Sequence, residues 1–294
     1  MKITLTGSLG NISKPLAEQL IGAGHQVTII SSNADKTAEI EKLGAKAAIG
    51  SVYDVDFVAK SFAGADAVYT MVPPNFGVPS FRQYVGGTAQ KYAEAIGKAG
   101  VKRVVNLSSI GAHLDGGTGP ISGMHDAEIT LNKLEGVSVK HVRAPFFYTN
   151  FFNNIDMIKH QGFLGSNYGS NTRLVMVHPK DIAAAVAEEL QGTSTGKGIR
   201  YLVSDERITG EVATVLGTAI GKPDLQWIEF TDEQAYNGMI QGGLPPEIAR
   251  NFVEMGTVVR SGILWEDYDQ HKPVASDSRK LESFAKEFAD KFNG

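Results

Sequence analysis

The chain opens with a short β-branched, apolar run, Lys2-Ile3-Thr4-Leu5-Thr6, followed at once by Gly7-Ser8-Leu9-Gly10-Asn11-Ile12-Ser13. Leu16, Ala17, Leu20 and Ile21 then recur at helical spacing. Strand, glycine turn and helix in immediate succession constrain the fold more than any other feature, because they are the context a dinucleotide-binding loop needs. Gly7 lets the chain turn sharply off the strand, and Gly10 lets the backbone approach a pyrophosphate with no Cβ between them. The loop from Gly7 through Ser8, Leu9, Gly10, Asn11 and Ile12 then presents its N–H groups to the phosphates at the positive end of the helix dipole. The spacing is Gly-x-x-Gly-x-x-Ser, so a third glycine is absent. Ser13 is expected to act as the helix N-cap, with Pro15 in the first turn, where its missing N–H is not needed. An ordinary strand-to-helix turn with two glycines is the plainer alternative.

The same alternation continues downstream. Residues 27–30, 45–49, 67–72, 103–107 and 137–143 read as further strands, and 55–62, 81–99 and 127–134 as helices between them. On the longest helix, Tyr84, Val85, Thr88, Ala89, Tyr92, Ala95 and Ile96 fall on one face. Strands apolar throughout, alternating with helices, indicate a parallel sheet covered on both faces. The expected fold is α/β: a doubly wound parallel sheet of the Rossmann type over residues 1–150, with 172–204 returning to it. Residues 151–171 and 205–294 are expected to form a smaller, mainly helical C-terminal lid. Within the last third, 158–172 reads as a crossover or hairpin loop, Asp181 as the cap of an alanine-rich helix, and 278–292 as an amphipathic surface helix. Thr231-Asp232-Glu233-Gln234 reads as a capping box, and Ile248, Phe252 and Met255 share a face of the helix opening at Pro245-Pro246.

In a doubly wound sheet ligands bind outside the carboxyl ends of the strands. Ser31-Ser32-Asn33 ends the second strand, where the cofactor's adenosine ribose would lie, and no Asp or Glu stands there to hold a 2′-hydroxyl. Small hydroxyls, an amide and Lys36 one turn on suit a 2′-phosphate, so NADP(H) is expected in preference to NAD(H). The plainer alternative is that these residues cap the next helix. Val72 and Pro73 follow the fourth strand, Asn106 and Ser108 end the fifth, and Phe146 and Phe147 follow the sixth; all are expected at the cofactor. The aromatic run over 146–152 reads equally well as core and as a ring-binding wall.

Composition excludes other classes. With 294 residues, 42% hydrophobic and 20% charged, the chain can bury a sizeable core without staples. A net charge of −4 gives no reason to expect nucleic acid as a partner. The absence of cysteine removes disulfides, thiolate metal sites and cysteine nucleophiles, and the histidines show no metal-ligand spacing. No apolar run is long enough to cross a membrane, and Met1 leads straight into the first strand. A cytoplasmic protein acting on a small molecule, with no membrane partner, is the simplest expectation. A homodimer is compatible with all of this.

Several stretches resemble the NmrA-like branch of the atypical short-chain dehydrogenases. They are Thr6-Gly7-Ser8-Leu9-Gly10, Val104-Val105-Asn106-Leu107-Ser108-Ser109, Arg143-Ala144-Pro145-Phe146-Phe147-Tyr148-Thr149-Asn150, and Val175-Met176-Val177-His178-Pro179-Lys180-Asp181-Ile182-Ala183. Tyr201-Leu202-Val203 extends the resemblance toward the C-terminus. It implies NADP or NAD in a Rossmann core, with a small C-terminal domain over the nicotinamide end. It implies either a reductase, of quinones among others, or a redox-sensing regulator without turnover.

One departure matters for the reaction. The Tyr-x-x-x-Lys pair of short-chain dehydrogenases places both side chains on one helix face, where the lysine lowers the tyrosine's pKa. The corresponding stretch here is Ser122-Gly123-Met124-His125-Asp126-Ala127-Glu128-Ile129, with His125 for the tyrosine and Ile129 for the lysine. The only literal Tyr-x-x-x-Lys, Tyr268 to Lys272, is followed by Pro273 and is dismissed. Histidine as a residue type titrates near neutrality, which makes His125 a candidate proton donor beside Ser108 or Ser109, with Glu128 to orient it. The alternative is that His125 caps the helix or touches the ribose. Ser108, His125 and Asn150 are thus the candidate catalytic residues, polarising a small carbonyl or quinone acceptor while the cofactor supplies the chemistry. The second expectation is an NADP(H) sensor that binds without turnover.

Overall fold

The computed structural model describes residues 1–273 and 279–294. Strands β1 (Lys2–Leu5), β2 (Gln26–Ser31), β3 (Lys46–Ile49), β4 (Ala67–Thr70), β5 (Arg103–Ser109) and β6 (Ser138–Ala144) alternate with helices α1 (Ser13–Gly22), α2 (Thr37–Lys42), α3 (Val55–Phe62), α4 (Phe81–Ala99) and α5 (Ser122–Asn132). The second half runs β7 (Phe146–Phe147), a 3₁₀ segment (Tyr148–Asn154), α6 (Ile155–Gln161), β8 (Phe163–Ser166), β9 (Arg173–Val177), α7 (Pro179–Gln191) and β10 (Lys197–Tyr201). It closes with β11 (Asp205–Ile208), α8 (Thr209–Ala219), β12 (Gln226–Glu229), α9 (Asp232–Gln241), α10 (Pro246–Ser261), α11 (Glu266–Gln270) and α12 (Leu281–Asn293).

Seven strands form one sheet in the order β3-β2-β1-β4-β5-β6-β10, and every neighbouring pair is parallel. The chain moves outward from β1 to β3 and then returns to β4 on the other side of β1. The carboxyl ends of β1 and β4 are therefore the switch point where a doubly wound sheet opens a crevice. Both faces are covered, which is why β4 is buried at all of its positions. On one face Leu16, Ala17 and Leu20 of α1 pack with Ile182, Val186 and Leu190 of α7 against Ile3, Leu5 and Ile29. On the other, Val58 and Phe62 of α3, Tyr92 and Ile96 of α4 and Leu131 of α5 cover Val68, Val104 and Val139. The doubly wound reading holds, and no helix among the described residues is long and apolar enough to cross a membrane.

The last third differs in detail from its expected form. Residues 158–172, read as a loop, contain the end of α6 and strand β8. β9 falls within the stretch assigned to the main sheet, yet it pairs antiparallel with β11 and parallel with β7 in a separate three-stranded sheet; only α7 and β10 return. A second small sheet joins β8 to β12. His178, not Asp181, caps α7, accepting from the Lys180 N–H at 3.0 Å, while Asp181 accepts from Ser204 and Arg279. The capping box at Thr231 and Gln234 forms as expected, with reciprocal bonds of 3.1 and 2.9 Å. α12 lays Leu281, Phe284 and Phe288 against the aromatic cluster, with Tyr148 stacked on Phe284 at 5.1 Å. Ser278, the first residue of the expected terminal helix, lies outside the described residues.

One buried polar chain locks β4, β5, β6 and α5 together. Thr70 Oγ1 donates to Asn106 Oδ1 at 3.0 Å. That leaves Asn106 Nδ2 to donate to His141 Nδ1 at 3.2 Å, so the imidazole carries its proton on Nε2 and donates it to Asn132 Oδ1 at 3.0 Å. Burial disfavours the imidazolium and pushes the His141 pKa from 6.5 down to about 4. Folding therefore loses stability as pH falls below the unfolded value of 6.5, and the loss levels off below about 4. Between pH 7 and about 4.5 this amounts to roughly 2–3 kcal/mol. His141→Gln lacks the titrating group, so its stability deficit in urea unfolding against the parent should narrow over that interval; an unchanged deficit would refute the assignment.

Candidate functional site

The glycine loop fills the gap between β1 and α1 at the switch point. Gly7 has φ +90°, and a Cβ there would stand 2.6 Å from Ser13 Oγ. Ser8 adopts φ +52° and donates its N–H to Ile30 O at 3.1 Å, and the Gly10 N–H closes back on Gly7 O at 3.1 Å. The N–H groups of Leu9, Asn11 and Ile12 meet no backbone carbonyl among the described residues. They are the orphan donors a helix N-terminus offers to an anion. Ser13 is the first residue of α1 and not its cap. Its hydroxyl donates to Thr6 O at 2.9 Å and closes the base of the loop, while Ile12 occupies the cap position without a side-chain bond.

The segment after β4 forms the opposite wall, held by hydroxyls of β1 and α4. Thr6 Oγ1 donates to Met71 O and accepts from Met71 N, at 3.2 and 2.8 Å. Tyr92 and Tyr84 donate to the carbonyls of Met71 and Pro73, at 2.8 and 2.6 Å. Burial pushes both phenols above their ordinary pKa. Tyr53, on the loop after β3, sets its ring 5.8 Å from that of Tyr84.

These walls border a cleft of about 1800 Å³ that runs from the glycine loop across the sheet's carboxyl edge and under the C-terminal region. At one end it meets Gly7, Ser8, Gly10, Asn11, Ile12, Ser31, Ser32, Val52 and Tyr53. Past Met71 and Pro73 it reaches Phe146, Phe147 and Asn150, then Tyr168, Trp227, Phe230, Met239, Phe252 and Met255 of the C-terminal region. No Asp, Glu, Lys, Arg or His lines it among the described residues.

Other expected site residues are held elsewhere. Leu9 packs against the core, and Val72 packs between α4 and its neighbours. Asn33 caps the short turn after β2, accepting from Asp35 N at 2.8 Å. Lys36 pairs with Glu39 at 3.0 Å, and Lys14 reaches the same carboxylate at 3.2 Å. Asn106 belongs to the buried His141 chain. Ser108 is buried, and its hydroxyl donates to Glu128 at 2.5 Å. Glu128 does not orient His125: both of its oxygens take Arg143, at 3.0 and 2.7 Å. His125 donates from Nδ1 to Ala112 O at 2.9 Å and lies off the cleft lining. The dismissed Tyr268 and Lys272 both bind Glu206, each at 2.7 Å, and neither borders the cleft.

The sequence reading missed Val52, Tyr53 and Tyr84, and it singled out neither Tyr168 nor Trp227. The first group had no turn or charge signature. The second stacks ring on ring at 5.6 Å, and one side faces the core while the other faces the cleft. Phe252 and Met255 were legible as one helix face, but nothing in their spacing distinguished a cleft from a core.

With this geometry in place, comparison with known proteins is informative. Residues 7–131 match the model of the NAD(P)H-binding family. The chain is 24% identical to an NAD(P)H azoreductase of Xenophilus azovorans, over 99% of each chain. Its fold superposes on an NADPH-dependent quinone oxidoreductase of Escherichia coli complexed with NADPH, with a TM-score of 0.83, 17% identity and coverage of 97% and 99%. A triphenylmethane reductase of Citrobacter sp. complexed with NADP(H) gives a TM-score of 0.79, 19% identity and coverage of 98% and 99%. The fold is of the Rossmann type, as the doubly wound reading implied, and the family match covers its first part, residues 7–131.

Gly7→Ala forces a side chain into a left-handed backbone and against Ser13, a strain of about 1–3 kcal/mol. Fluorescence titration with NADPH should show affinity falling by about tenfold or more. Ser108→Ala, behind the wall, should leave that affinity within about twofold; a larger loss would place Ser108 at the cofactor after all.

Proposed function

We propose that this protein is an NADP(H)-dependent reductase of small aromatic carbonyl or quinone acceptors that works without a Tyr-x-x-x-Lys pair. The observation that carries the reading is the single continuous cleft, which joins a phosphate-type glycine loop to a chamber walled by aromatic and methionine side chains. The residues fit the cofactor. The loop's free N–H groups suit a pyrophosphate, Ser31 and Ser32 suit the ribose, and Phe146 and Phe147 offer an apolar wall beside the nicotinamide end. Reduced NADP supplies a hydride when bound. The chain's part is to hold acceptor and cofactor face to face and exclude water, with Asn150 polarising the acceptor. Similarity to an azoreductase and to quinone and dye reductases supports the same class of reaction.

Preference for NADP(H) rests on Lys36 and Lys14, which share the Glu39 carboxylate near the carboxyl end of β2. Both are about two-fifths exposed, so a 2′-phosphate can compete for them. Lys36→Ala should weaken NADPH about tenfold in a fluorescence titration and leave NADH unchanged. Parallel losses for both cofactors would remove the argument for phosphate recognition.

Turnover is tested by following NADPH oxidation with quinones and aromatic aldehydes. Failure across the panel with tight NADPH binding retained would make the protein a sensor. The titratable groups lining the cleft are Tyr53, Tyr84 and Tyr168, and burial holds the Tyr84 and Tyr168 phenols protonated well above their ordinary range. With those two phenols held protonated and no carboxylate or imidazole on the lining among the described residues, kcat should vary less than about threefold between about pH 7 and 9. A sigmoidal profile centred near neutrality would instead return His125 to the reaction.

A further inference from the structure

The acceptor half of the cleft is uncharged but not apolar throughout. Seven carboxamides line it. Gln234 on α9 accepts from the Thr231 N–H, and the other six are Asn150, Asn153 and Asn154 on the 3₁₀ segment, Gln161 at the end of α6, and Asn237 and Gln241 on α9. None of these six side chains has a hydrogen-bond partner among the described residues. Five of the six are exposed and Asn154 is half-buried, whereas the buried Asn106 and Asn167 and the half-buried Asn251 are each tied to a named neighbour. A wall of free amides set among Trp227, Tyr168 and Phe230 can donate to the edge of a ring and stack on its face, but it carries no charge to offset one.

We propose that this chamber selects its acceptor by charge, taking an uncharged planar aromatic bearing ring carbonyls, a quinone in chemical class, and rejecting the same ring when it carries an anionic group. The proposal rests on the reductase reading for the direction of electron flow. In that reaction one hydride leaves the reduced nicotinamide, which becomes oxidised. The quinone gains the hydride and its electron pair, becomes the hydroquinone monoanion, and takes one proton from water. The carboxamide N–H groups donate to the quinone oxygens and strengthen that contact as negative charge builds on one of them. A sulfonate enters under different terms. Its charge is already present in the ground state, it must shed water, and no Lys, Arg or His on the lining replaces that water. The net charge of −4 adds long-range repulsion in the same direction.

The test reads binding and not turnover. Trp227 borders the chamber, so quenching of its fluorescence reports occupancy, and Trp227→Phe shows which part of the signal is specific. para-Naphthoquinone and its ring sulfonate are titrated into the cofactor-free protein and again with NADP+ present. The uncharged quinone should bind at least about tenfold more tightly in both. Gln241→Arg, with Asn237→Arg as the second choice should the first not fold, adds one cation to the wall and should bring the sulfonate to within about threefold of the quinone. Equal or tighter binding of the sulfonate by the parent protein overturns the proposal, as does a folded arginine variant that leaves sulfonate affinity unmoved. The two readings fail separately. Charge selection without any NADPH oxidation would sink the reductase assignment, whereas quinone reduction with indifferent sulfonate binding would sink this one alone.

Discussion

Arg143 stands on β6 immediately before the turn into Phe146 and Phe147, and it is buried. A guanidinium there is tolerable only because carboxylates meet it from two elements. Glu128 of α5 takes Nε and one terminal nitrogen, and Asp267 of α11 takes the other at 2.9 Å. Tyr201 of β10 bridges Arg143 and Asp267 through its hydroxyl. Burial alone would lower the Arg143 pKa, and its anionic partners more than reverse that. Removing one partner of such a set leaves a buried charge uncompensated, a cost of about 3–5 kcal/mol. The network therefore ties β6, β10 and α5 of the nucleotide-binding sheet to α11 of the C-terminal region.

The same network explains why α5 contributes no reacting group to the cleft. Its inward face is taken by Glu128, which holds both Arg143 and Ser108, while Ile129 is 48% exposed on the opposite side. His125 is turned toward the carbonyl of Ala112 in the glycine-rich loop. The α5 stretch is polar in sequence, and polarity next to a suspected active site invites a catalytic reading. Here the polar side chains satisfy one another, as buried polar groups must.

How far the sequence carried follows from the kind of signal each part uses. The sheet was legible because strands buried on both faces are apolar runs, and because Gly7 and Gly10 hold backbone positions that few other residues tolerate. Ser108 and Asn106 were misplaced because strand position says which end of the sheet a residue occupies but not which neighbour takes its hydrogen bond. β9 was misassigned for a related reason: Leu174, Val175 and Met176 are as apolar as any central strand, yet they are buried in the core of the C-terminal region, and only Val177 reaches the core of the main sheet. The far wall of the cleft was least legible. Tyr168, Trp227 and Phe230 converge from β8, β12 and the turns beside them, and such convergence has no local pattern.

Charge shows how these parts fit together. The ionic side chains of this region are gathered into bundles behind the cleft: Arg143 with Glu128 and Asp267, Arg173 with Glu206 and Asp269, Arg260 with Asp232. In each bundle opposite charges meet at contact distance and pin the elements together, and the first two set one cation against two carboxylates. What remains on the cleft lining is uncharged: aromatic, aliphatic, sulfur, hydroxyl and carboxamide groups. A site of this composition cannot drive a reaction by forcing a proton on or off its substrate. On the reductase proposal, its part is to place a donor and an acceptor against each other and solvate the electron pair that moves. In that reading the uncharged chamber leaves the chain to supply geometry and the acceptor to supply the electron affinity.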